Sequence, residues 1–132
     1  MSPSSEDVVR GMYEAFSRGD VGAILNALDE QIDWRAPENL PHGGTFRGRE
    51  EVGRFFQGIG ERWESLTVDV ENVLSDGDEA VALVAAHGRL RGTDEDTGYT
   101  GAHAWSLRDG VPVRFRETVD APLALTNAAG RT

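Results

Sequence analysis

Hydrophobic positions recur with a period near 3.6 through the first half of the chain and near 2 through the second. Ser4 and Asp7 form an S-x-x-D capping signature ahead of Val8, Met12, Ala15 and Phe16, which predicts a first helix. Gly19 ends it. Asp20 then caps a second helix carrying Val21, Ile24, Leu25 and Leu28. Residues 31–36 read as a short strand. Residues 37–48 hold two Pro and three Gly and read as a loop. Val52, Phe55, Phe56, Ile59 and Trp63 make one wide apolar stripe, predicting a third helix.

Alternation follows. Leu66, Val68 and Val70 interleave with Thr67, Asp69 and Glu71, and Asp76-Gly77-Asp78 reads as a turn. Residues 79–90 form a further strand despite their Ala content. Residues 91–98 read as a loop. Residues 98–108 and 111–120 are two strands around Asp109-Gly110, a hairpin signal. Residues 122–127 predict a helical turn and 128–132 a frayed end. Three helices followed by a meander of strands is an α+β layout, in which a bent sheet leaves a pocket against the helices.

The last hairpin has a testable register. Tyr99, His103, Trp105 and Leu107 share one face of the first strand. Val111, Val113, Phe115, Glu117 and Val119 share one face of the second. A strict two-residue turn sets Trp105 opposite Arg114. A three-residue loop with a bulge sets Trp105 opposite Val113 and makes Glu117 a diagonal neighbour of His103; a one-pair slip makes them direct partners. In either register His103 and Glu117 sit together on an apolar face. Such groups are costly to bury unless paired or functional. The pair is either a general acid–base couple or a satisfied core hydrogen bond.

Composition narrows the function classes. The 132 residues suit one domain spanning 1–132. Without Cys there is no disulfide, thiolate nucleophile or Cys-ligated metal. The net charge of −10 argues against nucleic acid and anionic membrane surfaces. No apolar run reaches the roughly 20 residues of a membrane span, and the start lacks a signal pattern, so a cytoplasmic protein is expected. Phosphate-loop and nucleophile-elbow motifs are missing, and the three His lack metal-ligand spacing, so neither metal nor cofactor is expected.

Further candidates flank the pair. Trp34, Glu38 and His42, on or just before the glycine-rich loop, either cap a pocket or are an anchor and two solvated groups. His87 and Arg89 share a face with Val81, Leu83 and Ala85, which enters the pocket if concave and meets solvent if convex. Asp120 fits a cap for the following turn. Tyr13 beside the first helical stripe offers a phenol or a packing surface.

Five segments resemble a known family in order and spacing. They are V-V-R-G-M-Y-E-A-F-S-R-G-D, I-D-W-R-A-P, H-G-G-T-F-R-G-R-E-E-V-G-R-F-F, A-H-A-W-S-L-R-D-G and R-F-R-E-T-V-D. Over roughly residues 5–125 the chain resembles the SnoaL-like branch of the nuclear transport factor 2-like superfamily. The resemblance implies a cone-shaped fold, a curved and mainly antiparallel sheet around three N-terminal helices, a deep apolar pocket and a homodimer through the sheet. The family includes polyketide cyclases, ketosteroid isomerases, epoxide hydrolases, dehydratases and proteins without known activity. In its cyclases a His on the penultimate strand and an acid on the last line the pocket, and the acid is the base. His103 and Glu117 match these positions, although the acid there is usually Asp. Where ketosteroid isomerases carry their base this chain has Trp34. Where they carry the oxyanion-hole acid it has His103, and their tyrosine falls at or next to Met12 and Tyr13. A ketosteroid isomerase is therefore not expected, and the Asp–Arg–Asp set of limonene epoxide hydrolases has no clear counterpart.

The expectation is a cofactor-independent acid–base enzyme acting on a small apolar carbonyl compound by cyclisation or isomerisation. Glu117 and His103 are its catalytic candidates. Trp34, His42, Trp63, Trp105, Phe115, Tyr13 and His87 are its substrate-binding candidates. A non-catalytic metabolite binder and a dimeric interaction domain are the alternatives.

Overall fold

The helices form where the caps and stripes require. A computed structural model describes residues 4–119. Helix α1 spans Ser5–Ser17, and the Ser4 side chain accepts from the Asp7 N–H as its cap. Its buried residues are Val9, Met12 and Ala15, so the buried face centres on Val9 rather than Val8. Gly19 ends the turn at φ +72°. Helix α2 spans Val21–Ala27, with Asp20 accepting from Ala23 N–H. Helix α3 spans Gly48–Arg62, and the chain leaves it directly into a strand at Trp63. Among the described residues no helix is long and apolar enough to cross a bilayer.

Strands β1 (Asp33–Ala36), β2 (Gly44–Arg47), β3 (Trp63–Asp76), β4 (Glu79–Leu90), β5 (Asp96–Arg108) and β6 (Val111–Val119) form one sheet in the order β2-β1-β6-β5-β4-β3. Among the described residues only the β1–β6 pairing is parallel. Two expected loops are shorter than their sequence suggests. Within residues 37–48, β2 pairs with the edge of β1, and Phe46 packs on Phe55 with ring centroids 5.3 Å apart. Within residues 91–98, β5 already begins at Asp96. Residues 120–132, including Asp120 and the expected last helical turn, lie outside the described residues.

Bulges bend this sheet. β3 shifts register against β4 between Trp63 and Ser65 and again between Val70 and Asn72. Each extra residue raises local twist and curvature. The α+β fold is thus a curved sheet with the three helices on its concave side. The alanines of β4 have a use here. Ala80, Ala82 and Ala86 flank Val84 on the concave face, all buried. Their small side chains leave room for α1 and for a pocket. The core joins Val9, Ile24, Leu28, Ile32 and Val52 to the aromatic wall of Trp34, Phe55, Trp105 and Phe115.

The β5–β6 hairpin corrects the expected three-residue loop. Arg108 pairs with Val111 around a two-residue turn, with Asp109 at φ 53° and Gly110 at φ 81°. Both values are positive, as a type I′ turn requires. The bulge lies inside the strand instead. Leu107 pairs with Pro112 and Ser106 with Arg114, leaving Val113 unpaired. Pro112 has no N–H, so an interrupted ladder beside it loses little. Trp105 then faces Phe115, and His103 faces Glu117 directly.

Loop 37–43 is held by Leu40 N–H to the Pro37 carbonyl (3.1 Å) and Gly43 N–H to the Leu40 carbonyl (3.0 Å). A Cβ on Gly43 would lie 1.7 Å from the Pro37 oxygen. Gly43→Ala is expected to open this loop and cost on the order of 2–4 kcal/mol in urea unfolding. Gly60→Ala, where an added Cβ meets nothing within 4 Å on α3, is expected to gain about 0.5–1 kcal/mol. Equal effects at both sites would overturn the close-approach account.

Candidate functional site

Between the helices and the concave face lies a pocket that is open at one mouth. Its apolar wall includes Met12, Phe16, Ile24, Trp34, Phe55, Phe56, Ile59, Leu66, Val68, Trp105 and Phe115. Its polar members are Tyr13, His42, Tyr99, His103 and Glu117. A concave, mostly apolar site with a few convergent polar groups is the general form of a small-molecule site.

His103 and Glu117 meet as direct cross-strand partners. His103 Nε2 lies 2.9 Å from Glu117 Oε2, and their side chains are 10% and 4% exposed. Behind them Tyr13 Oη lies 2.5 Å from His103 Nδ1, and Trp105 Nε1 donates to Tyr13 Oη at 3.1 Å. An indole N–H only donates, so the Tyr13 oxygen is already accepting. With His103 neutral and its Nε2–H facing the Glu117 carboxylate, Nδ1 is the acceptor and takes the phenol's own proton as a hydrogen bond. The other imidazole nitrogen, Nε2, carries the ring proton and donates to Glu117. Heavy-atom partners thus assign a chain running Trp105→Tyr13→His103→Glu117 that ends on a carboxylate. Burial pushes the Tyr13 phenol above its ordinary 10.0, the Trp105 hydrogen bond opposes this, and the Glu117 charge adds to it. Tyr13 therefore stays protonated as a donor.

A second chain enters from loop 37–43. His42 is 5% exposed. Trp63 Nε1 donates to His42 Nδ1 at 3.0 Å, and His42 Nε2 lies 3.4 Å from Tyr99 Oη. Because Nδ1 accepts, the neutral ring carries its proton on Nε2 and donates to the phenol. Burial pushes the His42 pKa below 6.5. Glu117 opposes that shift, while His103 and Arg62 add to it. Tyr99 is pushed up by burial and then by Glu117.

The sequence candidates divide accordingly. Tyr13, Trp34, His42, His103, Trp105, Phe115 and Glu117 line the pocket. Trp34 stacks on Phe115 with centroids 3.9 Å apart, and its indole N–H is buried without an acceptor among the described residues. His42 is no solvated loop residue, whereas Glu38 is exposed. Two candidates are misplaced. Trp63 is buried outside the pocket lining, held behind His42 by the chain's turn from α3 into β3. His87 lies on the convex face, 3.1 Å from Asp69, with its side chain 60% exposed. Val81, Leu83, Ala85 and Arg89 share that face, and Arg89 pairs with Asp96 at 3.3 Å. Tyr99 is the residue that sequence reasoning passed over. Its signal was its place on the His103 face, four residues earlier on the same strand.

Buried neutral His42 ties stability to pH. Its pKa is lower in the fold than in the unfolded chain, so the unfolded chain takes up a proton first as pH falls. Its contribution is whole above about pH 6.5 and declines below it. Between about pH 7 and pH 5 the urea midpoint of the wild type is expected to fall, and that of His42→Gln to fall less. Parallel declines would place the dependence elsewhere.

No curated protein matches this chain. Solved structures do. An NTF2-like protein from Burkholderia thailandensis shares 26% identity at TM-score 0.87, covering 96% of this chain and 98% of its own. TerC, co-crystallised with polyporic acid, shares 22% at TM-score 0.81, covering 96% and 98%. An LEH-like epoxide hydrolase from M. tuberculosis shares 13% at TM-score 0.77, covering 98% and 92%. The SnoaL-like domain model matches residues 9–115. With that match over most of its length and the NTF2-like fold around its pocket, the chain belongs to the SnoaL-like family of the NTF2-like superfamily.

Proposed function

We propose that the protein is a cofactor-independent acid–base catalyst of a small apolar substrate with an acidic C–H next to a carbonyl. The observation that carries this reading is the buried His103–Glu117 pair on the pocket wall. Among the described residues, His103 Nε2 is the one hydrogen-bond partner of Glu117, and it engages only Oε2. Oε1 is thereby left to take a proton from carbon. His103 orients the carboxylate; its N–H is spent on Glu117 and is not a donor to the substrate. Tyr13 and Trp105 hold the imidazole in that tautomer, as a third group holds the base in other catalytic sets. The aromatic wall lowers the local dielectric around the pair, which strengthens each polar contact there. Cyclisation through an intramolecular aldol step and isomerisation both begin with this proton transfer. The ligand and enzyme names of the structural neighbours, polyporic acid with TerC and the epoxide hydrolase, support a small-molecule pocket.

The partner expected from the family is a second copy of this chain. Leu74 and Leu83 stand 57% and 40% exposed on the convex face, where such a partner would seat.

Proton exchange tests the chemistry without a known substrate. Wild-type protein is expected to speed deuterium uptake at the α-carbons of 2-tetralone, followed by NMR. Glu117→Gln is expected to lower the catalysed rate about 10²–10⁴-fold with the fold and 2-tetralone affinity retained. Loss of fold together with exchange would mark a structural pair. Binding by the wild type without any exchange would favour a metabolite-binding protein.

A further inference from the structure

We propose that Tyr99 is the hydrogen-bond donor to the substrate oxygen, so that the pocket takes a ligand whose carbonyl lies toward Tyr99 and whose acidic C–H lies toward Glu117. This rests on Glu117 acting as the base, and it fills a role which that reading leaves open. Removing a proton beside a carbonyl builds negative charge on the oxygen. A donor must already face that oxygen for the charge to be stabilised. His103 does not supply it, because its Nε2–H is held by Glu117 Oε2 at 2.9 Å. Tyr13 does not supply it either, because its proton is directed to His103 Nδ1 at 2.5 Å.

Tyr99 is in a different position. Trp63 Nε1 occupies the acceptor nitrogen of His42, so His42 Nε2–H points its proton at Tyr99 Oη. The phenol oxygen accepts there, and its own O–H remains to be donated. Among the described residues Tyr99 Oη has no second hydrogen-bond partner. The ring is 6% exposed and lines the same pocket as Glu117. The burial that keeps its phenol protonated also makes an unmet O–H expensive, which a ligand oxygen would relieve. Two directed chains therefore enter one pocket. Trp105→Tyr13→His103→Glu117 ends on an acceptor, and Trp63→His42→Tyr99 ends on a donor. Between them fits an apolar body bearing a ketone or a similar carbonyl.

The step balances with these groups alone. The α-proton passes to Glu117 Oε1. The C–H electron pair becomes the C=C bond of the enolate, and the carbonyl π pair moves onto oxygen, where it receives the Tyr99 hydrogen bond. Return of a proton, or of a deuteron from solvent exchanged onto Glu117, to carbon reverses the sequence.

The test uses 2-tetralone with the full chain and reads two quantities. The first is its carbonyl infrared band when bound, which reports hydrogen bonding to oxygen whether or not any reaction occurs. The second is the rate of α-deuterium uptake. In wild-type protein the bound band is expected at lower wavenumber than in an apolar solvent. Tyr99→Phe is expected to return it toward the apolar value and slow exchange about 100-fold. Should Tyr99→Phe fold poorly, fluorotyrosine replacement in a Tyr13→Phe background keeps the shape and changes only Tyr99, since the chain has two tyrosines. The more acidic phenol then moves the band further down. A band unmoved by either change, or no saturable binding of 2-tetralone by wild type, overturns the assignment. Failure of the underlying reading looks different: the band responds to Tyr99, but wild-type exchange is absent or is unaffected by Glu117→Gln.

Discussion

The β5–β6 register is the constraint on which the site depends. Side chains on a strand alternate, so a slip of one residue moves every buried group to the other face. With Asp109 and Gly110 both at positive φ, the turn alone pairs Arg108 with Val111 and, continued without interruption, would set Trp105 against Arg114. The unpaired Val113 corrects this. Pro112 and Phe115 then both face inward, and Glu117 arrives opposite His103. Because β1 runs parallel to β6, the same register also sets Trp34 beside Phe115. One bulge thus aligns the aromatic wall and the acid together.

That alignment makes a buried carboxylate tolerable. An isolated charge in this wall would cost several kcal/mol. Glu117 instead accepts from His103, whose other nitrogen accepts from Tyr13, which accepts from Trp105. Every link is satisfied by the next, and each lies on an element fixed by the core: α1 for Tyr13, β5 for His103 and Trp105, β6 for Glu117. On the convex side Arg116 ties β6 to β1 through Asp33 at 2.9 Å. That hydrogen bond is the main reason the Asp33 carboxyl lies below its ordinary 3.8. The two faces of the same strand thus carry one half-buried ion pair and one buried polar chain.

Much of the fold was legible because its signals are local. Ser4, Gly19 and Asp20 act through the backbone within a turn of themselves, and a reader of the chain sees the whole interaction. The apolar stripes of α1 and α3 and the alternation of β3 through β6 are also local patterns. Less legible were features set by distant partners. Thr45 and Phe46 look like loop residues until β1 offers an edge to pair with. The convex exposure of His87 depends on which way a bulged sheet bends, and no run of residues around position 87 encodes that direction. Trp63 continues the apolar stripe of α3, yet the chain has already turned into β3 there, which carries its indole behind His42. The His103–Glu117 pair was visible because alternation places both on one face in either register. The value of Tyr99 was not, because it depends on His42 reaching across from a glycine-closed loop.

Hydrogen-bond direction gives the pocket its polarity. A neutral imidazole has one donor and one acceptor nitrogen, and in both buried histidines the acceptor side is filled by a donor from behind, Tyr13 for His103 and Trp63 for His42. Each ring can therefore only pass a proton forward, toward Glu117 in one case and Tyr99 in the other. The phenols cannot become competing acceptors of charge, since burial and the Glu117 carboxylate both hold them protonated. The indole of Trp34 is a further donor without an acceptor among the described residues, but it is sealed in the aromatic cluster. The acid that stands out in a chain of net charge −10 is thus the terminus of one directed chain. The proposed basicity of Glu117 rests on one imidazole, one phenol and one indole arranged so that nothing else in that chain can accept the proton.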